Sequence, residues 1–298
     1  MNLNFVLDTL HSSGHFGHVI STEESLVLHN SLLILQNENH FRNVFFWGKI
    51  FGAEKDYYIA YGYTRDALHG RIYYYSSNCV RWGLLPQPTK KWDVVNAFVF
   101  YKVSSTILQC RQLQGDPALV IDVLIEKDET LVCGKRKAPQ IRKLKEEDRL
   151  ATTVHLIHNE SGAIPRGALF RRPDGVVVEN ISFEGLSTLD AREISSFLHF
   201  RPPTQKWNTN LLIRDDYNYA MDFLDPLDID IPEGCWIIQI TSSEEMVILK
   251  SVYWPGMIFF HYLRTPRHGF VYFGHGKKCL DLPFMLSPFF CLKMYNYL

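Results

Sequence analysis

The chain has 298 residues, of which 46% are hydrophobic and 21% charged, an ordinary composition for one large globular domain or two smaller ones. Its formal net charge of −1 gives the molecule no overall attraction for DNA, RNA or an anionic membrane surface. The aromatic fraction of 14% is high, which favours β-rich packing or contact surfaces.

The N-terminal residues and the spacing of the cysteines indicate in which cellular compartment the protein functions. The N-terminal Met-Asn-Leu-Asn-Phe lacks the basic start and apolar core of a signal peptide, and no run approaches the roughly 18 apolar residues of a membrane span. We therefore expect an intracellular protein with reduced thiols and no membrane segment. No two cysteines are close enough for a zinc-type pair; they lie at positions 79, 110, 133, 235, 279 and 291.

Two helices are predicted at the N-terminus of the chain. A short helix covers residues 3–10, and a break rich in small residues follows at 12–17. Thr22 is the predicted N-cap of a second helix, which extends from Glu23 to about Asn37. The broad apolar face of this helix consists of Leu26, Leu28, Leu32, Leu33 and Leu35.

Three strands follow, at residues 44–51, 56–61 and 71–75. Gly48 and Gly52 indicate bulges or a close approach of another backbone. Because side chains alternate across a strand, the tyrosines of the second and third strands place rings on both faces. We expect one face to pack on the core, and the other to be covered by a helix, a second sheet or another chain.

The middle of the chain mixes strands and helices. Residues 118–125 predict a strand, residues 149–159 a helix, and Pro173-Asp-Gly175 a hairpin turn. Thr188 is predicted to cap a further helix that extends to about Phe200. Its inner face would consist of Leu189, Ile194, Phe197 and Leu198. Six aspartates between residues 215 and 230 predict an acidic surface loop, since the alternating ligands of a calcium loop are absent.

The last quarter predicts an antiparallel meander, with strands at 235–241, 246–254, 257–263 and 270–273. The fold class is therefore α+β: a mainly antiparallel β-sheet with N-terminal helices and two or three further helices packed on it. We expect an N-terminal helical segment at 1–40 and a β-rich core at 41–286, with a possible division into two lobes near 115–150. Residues 287–298 form an atypical C-terminal tail.

No pattern in the chain specifies catalysis, a cofactor, a metal or a small-molecule substrate. Three N-terminal histidines have metal-ligand spacing but no second cluster to complete a shell: His11, His15 and His18. His155 and His158 lie one helical turn apart without the glutamate of a zinc-protease motif. The basic run at 135–145 is offset by three acidic residues that follow it, so we expect no nucleic-acid partner.

Several blocks, in chain order, resemble the radial spoke head proteins of motile cilia. Phe46-Trp-Gly-Lys-Ile50 and Asp56-Tyr-Tyr-Ile-Ala60 resemble a signature found in the 4/6 type and in radial spoke head protein 9. The later blocks resemble the radial spoke head protein 9 family, and they begin at Ile164, Phe183, Phe197, Asp230, Trp254 and Asp281. The resemblance covers residues 20–85 and 150–286; residues 93–114 and 287–298 depart from the family pattern.

The resemblance implies a non-enzymatic structural subunit of the radial spoke head. Such a subunit would support spoke-head and central-pair organisation and relay mechanical signals from the central pair to the dynein arms. The implied partners are radial spoke head 4/6-type proteins and other spoke-head subunits, with the central-pair apparatus contacted indirectly. The implied location is the cytoplasm, the cytoskeleton and the axoneme of cilia or flagella.

Large aromatic rings dominate both protein cores and interfaces. We therefore expect five aromatic residues to anchor either the core or a partner interface: Trp47, Tyr57, Tyr58, Trp236 and Trp254.

Two other functions are compatible with the residue patterns. A β-rich hydrolase or transferase would gather residues such as His199, His261 or Asp281 in a cleft with shifted pKa values. A cytosolic assembly or transport adaptor would share the contact surface of a spoke-head subunit without residing stably in the axoneme.

Overall fold

A large β-sheet organises the chain in a computed structural model that describes residues 1–3, 20–88, 112–125, 140–204, 217–241, 243 and 245–285. Within the described residues, short 3₁₀ helices lie at Asp190–Arg192, Ile194–Ser196 and Leu227–Ile229. The helices and strands in chain order are α1 (Thr22–Glu38), β1 (Asn43–Ile50), β2 (Tyr57–Tyr63), β3 (Ile72–Ser76), β4 (Gly83–Leu84), β5 (Val120–Ile125), β6 (Gln140–Lys145), α2 (Glu146–Ser161), β7 (Ala163–Pro165), β8 (Leu169–Arg171), β9 (Val177–Glu179), β10 (Phe197–His199), β11 (Trp236–Ile240), β12 (Met246–Ser251), β13 (Met257–Tyr262), β14 (His268–Gly274) and α3 (Leu282–Met285).

The large sheet has eight strands in the order β11-β12-β13-β14-β1-β2-β3-β4. The first four and the last four strands are each antiparallel meanders, and they join where β1 runs parallel to β14. Three two-stranded sheets pair β5 with β6, β7 with β10, and β8 with β9. The structure therefore confirms the α+β class, the mainly antiparallel sheet and the C-terminal meander.

Each long helix covers one face of the large sheet. Alternate residues along a strand point to opposite faces, and the buried residues divide accordingly into two apolar layers. One layer contains the inner residues of α1, namely Leu28, Leu32 and Leu35. The other contains the inner residues of α2 together with strands β7 and β10. The rings on both faces of β2 are thus covered within the chain, and every residue of that strand is buried.

Strand β1 contains a bulge at Trp47. The β1–β2 register shifts between Phe46 and Gly48, so that Trp47 is the extra residue on β1. Gly48 has φ +149°, and a Cβ built on it would lie 2.2 Å from the carbonyl oxygen of Tyr272. The expected close backbone approach at Gly48 is therefore present at the β1–β14 seam.

Helix α1 begins one residue earlier than the sequence indicates. The N-cap is Ser21, and not Thr22, because the Ser21 hydroxyl accepts a hydrogen bond from the Glu24 backbone nitrogen at 3.1 Å. The Glu24 carboxylate in turn accepts from the Ser21 backbone nitrogen at 3.2 Å. The expected apolar face is also narrower than predicted, since Leu26 and Leu33 are exposed.

The helix predicted from Thr188 to Phe200 is absent from the structure. Its first half forms two 3₁₀ turns, and Phe197–His199 forms β10, which pairs with β7. Leu189, expected on the inner face, is 75% exposed. Tertiary pairing thus overrides the local helical pattern here. The predicted helix at 149–159 is confirmed and is longer, since α2 covers Glu146–Ser161.

The acidic stretch is not a simple surface loop. Asp222 and Asp225 are buried and bind Arg166 and Arg201. Several other predictions lie outside the described residues: the helix at 3–10 beyond residue 3, the histidine group at 11–18, most of the region 93–114, and the tail at 287–298.

Candidate functional site

All five aromatic anchor residues lie in the interior. Trp47, Tyr57, Tyr58, Trp236 and Trp254 are each 7% exposed or less. Trp254 donates a hydrogen bond from Nε1 to Glu160 Oε2 at 2.8 Å, and Trp236 donates one to Asp230 Oδ2 at the same distance. None of these rings forms an exposed contact surface in the single chain.

The two adjacent tyrosines of β2 connect the sheet to both long helices. Tyr57 donates a hydrogen bond to Glu146 Oε1 at 2.8 Å, at the start of α2, and burial together with that carboxylate raises the pKa of Tyr57. Tyr58 donates to Glu24 Oε1 at 2.7 Å, on α1. Burial raises the pKa of Tyr58 to about 12, although the Lys49 ammonium opposes the shift. Both phenols therefore remain protonated and fix the helices to opposite faces of the sheet.

A buried arginine joins three elements behind the sheet. Arg71 donates from Nε to the Ala67 carbonyl at 2.6 Å and from Nη1 to the Phe200 carbonyl at 3.0 Å. Its guanidinium lies 3.9 Å from the centre of the Phe200 ring and also contacts His158 Nε2. Burial, and then the Arg71 charge, hold the pKa of His158 well below its usual range. This neutral histidine and charged arginine form a structural junction among the loop before β3, α2 and β10.

A cavity of about 1090 Å³ lies beside this junction, between β3, β4 and α2. Of the three residues named for an enzyme cleft, only His199 lines it. His199 Nε2 lies 2.9 Å from Asp230 Oδ1, on the cavity wall. Two ion pairs lie on or beside the same wall, namely Glu160 with Lys278, at 2.7 Å, and Arg201 with buried Asp225. The charges of this wall are thus largely satisfied by one another.

His261 is located elsewhere and has a structural environment. Its Nε2 accepts a hydrogen bond from the Leu186 backbone nitrogen at 3.0 Å, and its Nδ1 lies 3.0 Å from the Arg267 carbonyl. Burial lowers the pKa of His261 to about 4, so the ring is neutral at physiological pH. Asp281 is exposed. The structure therefore does not bring His199, His261 and Asp281 together at the cavity.

Two buried ion pairs organise the acidic stretch. Arg166 binds Asp222 through two contacts, Nε to Oδ1 at 2.5 Å and Nη2 to Oδ2 at 2.7 Å. Arg201 Nη1 donates to Asp225 Oδ2 at 2.7 Å. Burial opposes ionisation of Asp225, but hydrogen bonds from Thr204 and the Arg201 charge outweigh it and lower its pKa.

Two buried thiols have little nucleophilic character. Burial raises the pKa of Cys79 and of Cys235 to about 12 in each case. Within the described ranges, no three histidine, cysteine, aspartate or glutamate side chains come together in a way that could hold a metal ion. No helix in the part of the chain that the structure describes is long and apolar enough to cross a membrane.

Helix α1 has exposed apolar residues that the sequence pattern does not distinguish from its buried ones. The solvent-facing side of α1 carries four large apolar residues, Leu26, Val27, Leu33 and Ile34. The sequence analysis places two of these residues, Leu26 and Leu33, on the packed face. A surface helix normally has a polar outer side, so apolar residues on both sides of this helix could have indicated an exposed apolar surface.

Comparison with known proteins gives the family. The profile described as radial spokehead-like protein matches residues 1–70. The chain is 35% identical over 294 residues to the radial spoke head protein 9 homologues of Bos taurus and Homo sapiens, which covers 96% of this chain and the full length of each relative. It is 37% identical over 287 residues to the homologue of Danio rerio, covering 96% of this chain and 99% of that relative. The chain therefore belongs to the radial spoke head protein 9 family.

Proposed function

We propose that the protein is a non-enzymatic structural subunit of the radial spoke head in motile cilia and flagella. The observation that carries this proposal is the similarity to radial spoke head protein 9 homologues over 96% of the chain. The spoke head and central pair would be organised in part by this subunit, which would reside in the axoneme after its synthesis in the cytoplasm.

The sheet supports a mechanical role. Eight hydrogen-bonded strands are covered by apolar layers on both faces. Close-packed interiors have low compressibility and transmit strain. A rigid subunit of this kind suits the relay of mechanical signals from the central pair to the dynein arms.

We take the five aromatic residues to be core anchors of this scaffold. In the same proposal, the N-terminal helical segment at 1–40 packs on the sheet of the β-rich core at 41–286. All five are buried, and α1 packs directly on the large sheet. Replacing Trp254 by Ala should therefore reduce the free energy of unfolding by about 3–5 kcal/mol, as measured by urea unfolding. Unchanged stability would remove Trp254 from the core role.

The buried polar groups support a role without catalysis. His261 holds two backbone groups, His158 contacts Arg71, and the two buried thiols have raised pKa values. None of these observations requires a catalytic role for the groups concerned. The proposed partners are radial spoke head 4/6-type proteins and other spoke-head subunits, with indirect contact to the central-pair apparatus.

Co-expression tests the proposed function directly. The chain would be produced with a radial spoke head 4/6-type protein and analysed by size-exclusion chromatography with light scattering. We expect one stoichiometric complex. Two well-folded proteins that elute separately would contradict direct binding. Localisation of a tagged chain in ciliated cells is the second measurement, since an assembly adaptor would remain in the cytosol while a spoke-head subunit would be retained in demembranated axonemes.

A further inference from the structure

Helix α1 is apolar on its outer side as well as its inner side. We call the outer group the α1 stripe; it consists of Leu26, Val27, Leu33 and Ile34, which are between 39% and 57% exposed. Their neighbours on the inner side are buried in the core beneath the helix. A surface helix normally carries polar or charged residues on the side that faces solvent. The four exposed apolar residues of α1 depart from that pattern.

The spacing within the outer side fits another helix. Leu26, Asn30, Leu33 and Asn37 are separated by four, three and four residues, and all four are exposed. This is the spacing of the seam positions in a coiled coil, where leucines pack and an occasional asparagine fixes register. Helix α1 has 17 residues, which is long enough for about two heptads of such a seam.

A neighbouring hairpin also carries exposed apolar residues. Trp82 donates a hydrogen bond from Nε1 to Ser31 Oγ at 3.1 Å, which holds the β3–β4 connection against α1. Val80 and Leu84, on either side of Trp82 in the chain, are exposed. Ser31 lies one helical turn from Val27 and three residues from Ile34. The β3–β4 connection therefore lies against α1 and carries two exposed apolar side chains of its own.

Charge decides between a second copy of this chain and a different partner. Exposed Glu23 and Glu38 stand at the two ends of the helix, which also carries Glu24 and has no lysine or arginine. Antiparallel pairing of two α1 helices would place Glu23 of one copy beside Glu38 of the other, and parallel pairing would place identical glutamates together. Like charges at such a contact are unfavourable. The nearest basic residue in sequence, Arg42, lies beyond the end of the helix.

We propose that the α1 stripe docks an amphipathic helix of a partner chain whose apolar seam is flanked at both ends by lysine or arginine. This inference rests on the proposed function, because it gives the spoke-head partner a docking surface on this subunit. The partner helix would pack along Leu26, Leu33 and Ile34, and its basic ends would face Glu23 and Glu38.

Affinity measurements on matched variants test the docking surface. The principal variant is Leu33→Gln with Ile34→Gln, because both residues are exposed and glutamine preserves helix propensity. The control is Ile181→Gln with Leu189→Gln, which removes two equally apolar side chains that are even more exposed and lie far from α1 in sequence. Dissociation constants with a purified radial spoke head 4/6-type protein would be measured by isothermal titration calorimetry, and thermal melts would verify that each variant is folded.

We expect the α1 double variant to weaken the complex at least about tenfold and the control to leave it unchanged. Glu38→Lys should weaken it about two- to fivefold without harming the helix, since a cation is favourable at a helix C-terminus. Equal affinity for wild type and all three variants would overturn the docking surface while leaving the proposed function intact. Failure of the wild-type chain to bind at all would reject the proposed partner, and the docking inference with it.

Discussion

The backbone at the parallel seam between β1 and β14 leaves no space for a side chain at Gly48. A Cβ atom there would lie 2.2 Å from the Tyr272 carbonyl oxygen and 2.6 Å from its backbone nitrogen, and φ is +149°. Backbone atoms cannot move aside as a flexible side chain could. We expect Gly48→Ala to reduce the free energy of unfolding by about 3 kcal/mol or more, as measured by urea unfolding.

Gly175 provides the matched control for the seam. It also has a positive φ, +84°, but a Cβ there would meet no atom within 4 Å. Gly175→Ala should therefore cost about 1 kcal/mol, which is the price of left-handed backbone strain alone. Equal losses for the two variants would show that the contact with Tyr272 contributes nothing beyond that strain.

Arg71 is the residue whose replacement should most disturb the region behind the sheet. Arg71→Met removes the hydrogen bonds to the Ala67 and Phe200 carbonyls and leaves those buried acceptors with fewer partners. We expect a loss of about 3 kcal/mol in the free energy of unfolding. Arg65→Met is the control, because Arg65 forms only an exposed pair with Asp174 at 3.4 Å and should change stability by less than about 0.5 kcal/mol. A similar small loss for Arg71→Met would contradict the junction.

Sequence reasoning succeeded for single residues whose type alone carries the signal. The glycine at position 48 interrupts an apolar strand, and such a glycine indicates a bulge or a close backbone approach. It failed for Asp222 and Asp225, because their partners Arg166 and Arg201 are distant in the chain. An aspartate-rich stretch has the same composition whether its carboxylates meet water or buried guanidinium groups.

At the scale of one element, the start of α1 depends on which residue is its N-cap. The structure gives the N-cap role to Ser21, whose hydroxyl accepts from Glu24, whereas the sequence pattern had favoured Thr22. Ser21→Ala should therefore reduce the free energy of unfolding by about 1 kcal/mol, because one backbone donor at the helix start loses its acceptor. Thr22→Ala should leave stability almost unchanged. The opposite order of the two losses, in chemical denaturation, would restore Thr22 as the cap.

Elements with strong local patterns could be predicted, and those fixed by pairing could not. The C-terminal meander was found because its strands are long, apolar and separated by turn residues. The segment from Thr188 to Phe200 has apolar residues at helical spacing, yet its end pairs with β7 as strand β10. That pairing buries Phe197 and Leu198 more completely than an isolated surface helix would, so the tertiary contact prevails.

At the scale of the whole molecule, the two meanders meet through a pairing that neither one specifies. Gly48 of β1 pairs with Tyr272 of β14, although the two residues are separated by most of the chain in sequence. Each meander could be predicted from its own residues, but their parallel pairing joins segments from opposite ends of the chain. The α1 stripe could not be predicted from the sequence either. Which side of a helix is buried depends on the elements that pack against it, and these are distant in the chain.

The pH dependence of stability is a property of the whole molecule that depends on a few buried histidines. Burial lowers the pKa of His261 from 6.5 to about 4, and the same cause lowers that of His158. Below pH 6.5 the unfolded chain takes up protons that the folded chain does not accept until pH 4. The free energy of unfolding should therefore fall as the pH decreases through this interval, by about 2–3 kcal/mol between pH 7 and pH 4.5 for His261 alone.

Urea unfolding at several pH values between 7.5 and 4.5 would measure this loss. His261→Gln should lower the free energy of unfolding at pH 7, because the Leu186 backbone nitrogen loses its hydrogen bond to the His261 ring. The variant should also show a shallower dependence of that free energy on pH. His69→Gln is the control, because His69 is exposed and its replacement leaves the buried histidines in place. The carboxylates with lowered pKa values, such as Asp225, add to this loss mainly at and below the acidic end of the interval. A wild-type free energy that stays constant from pH 7.5 to pH 4.5 would show that the buried histidines gain protons in the folded state as readily as in the unfolded one.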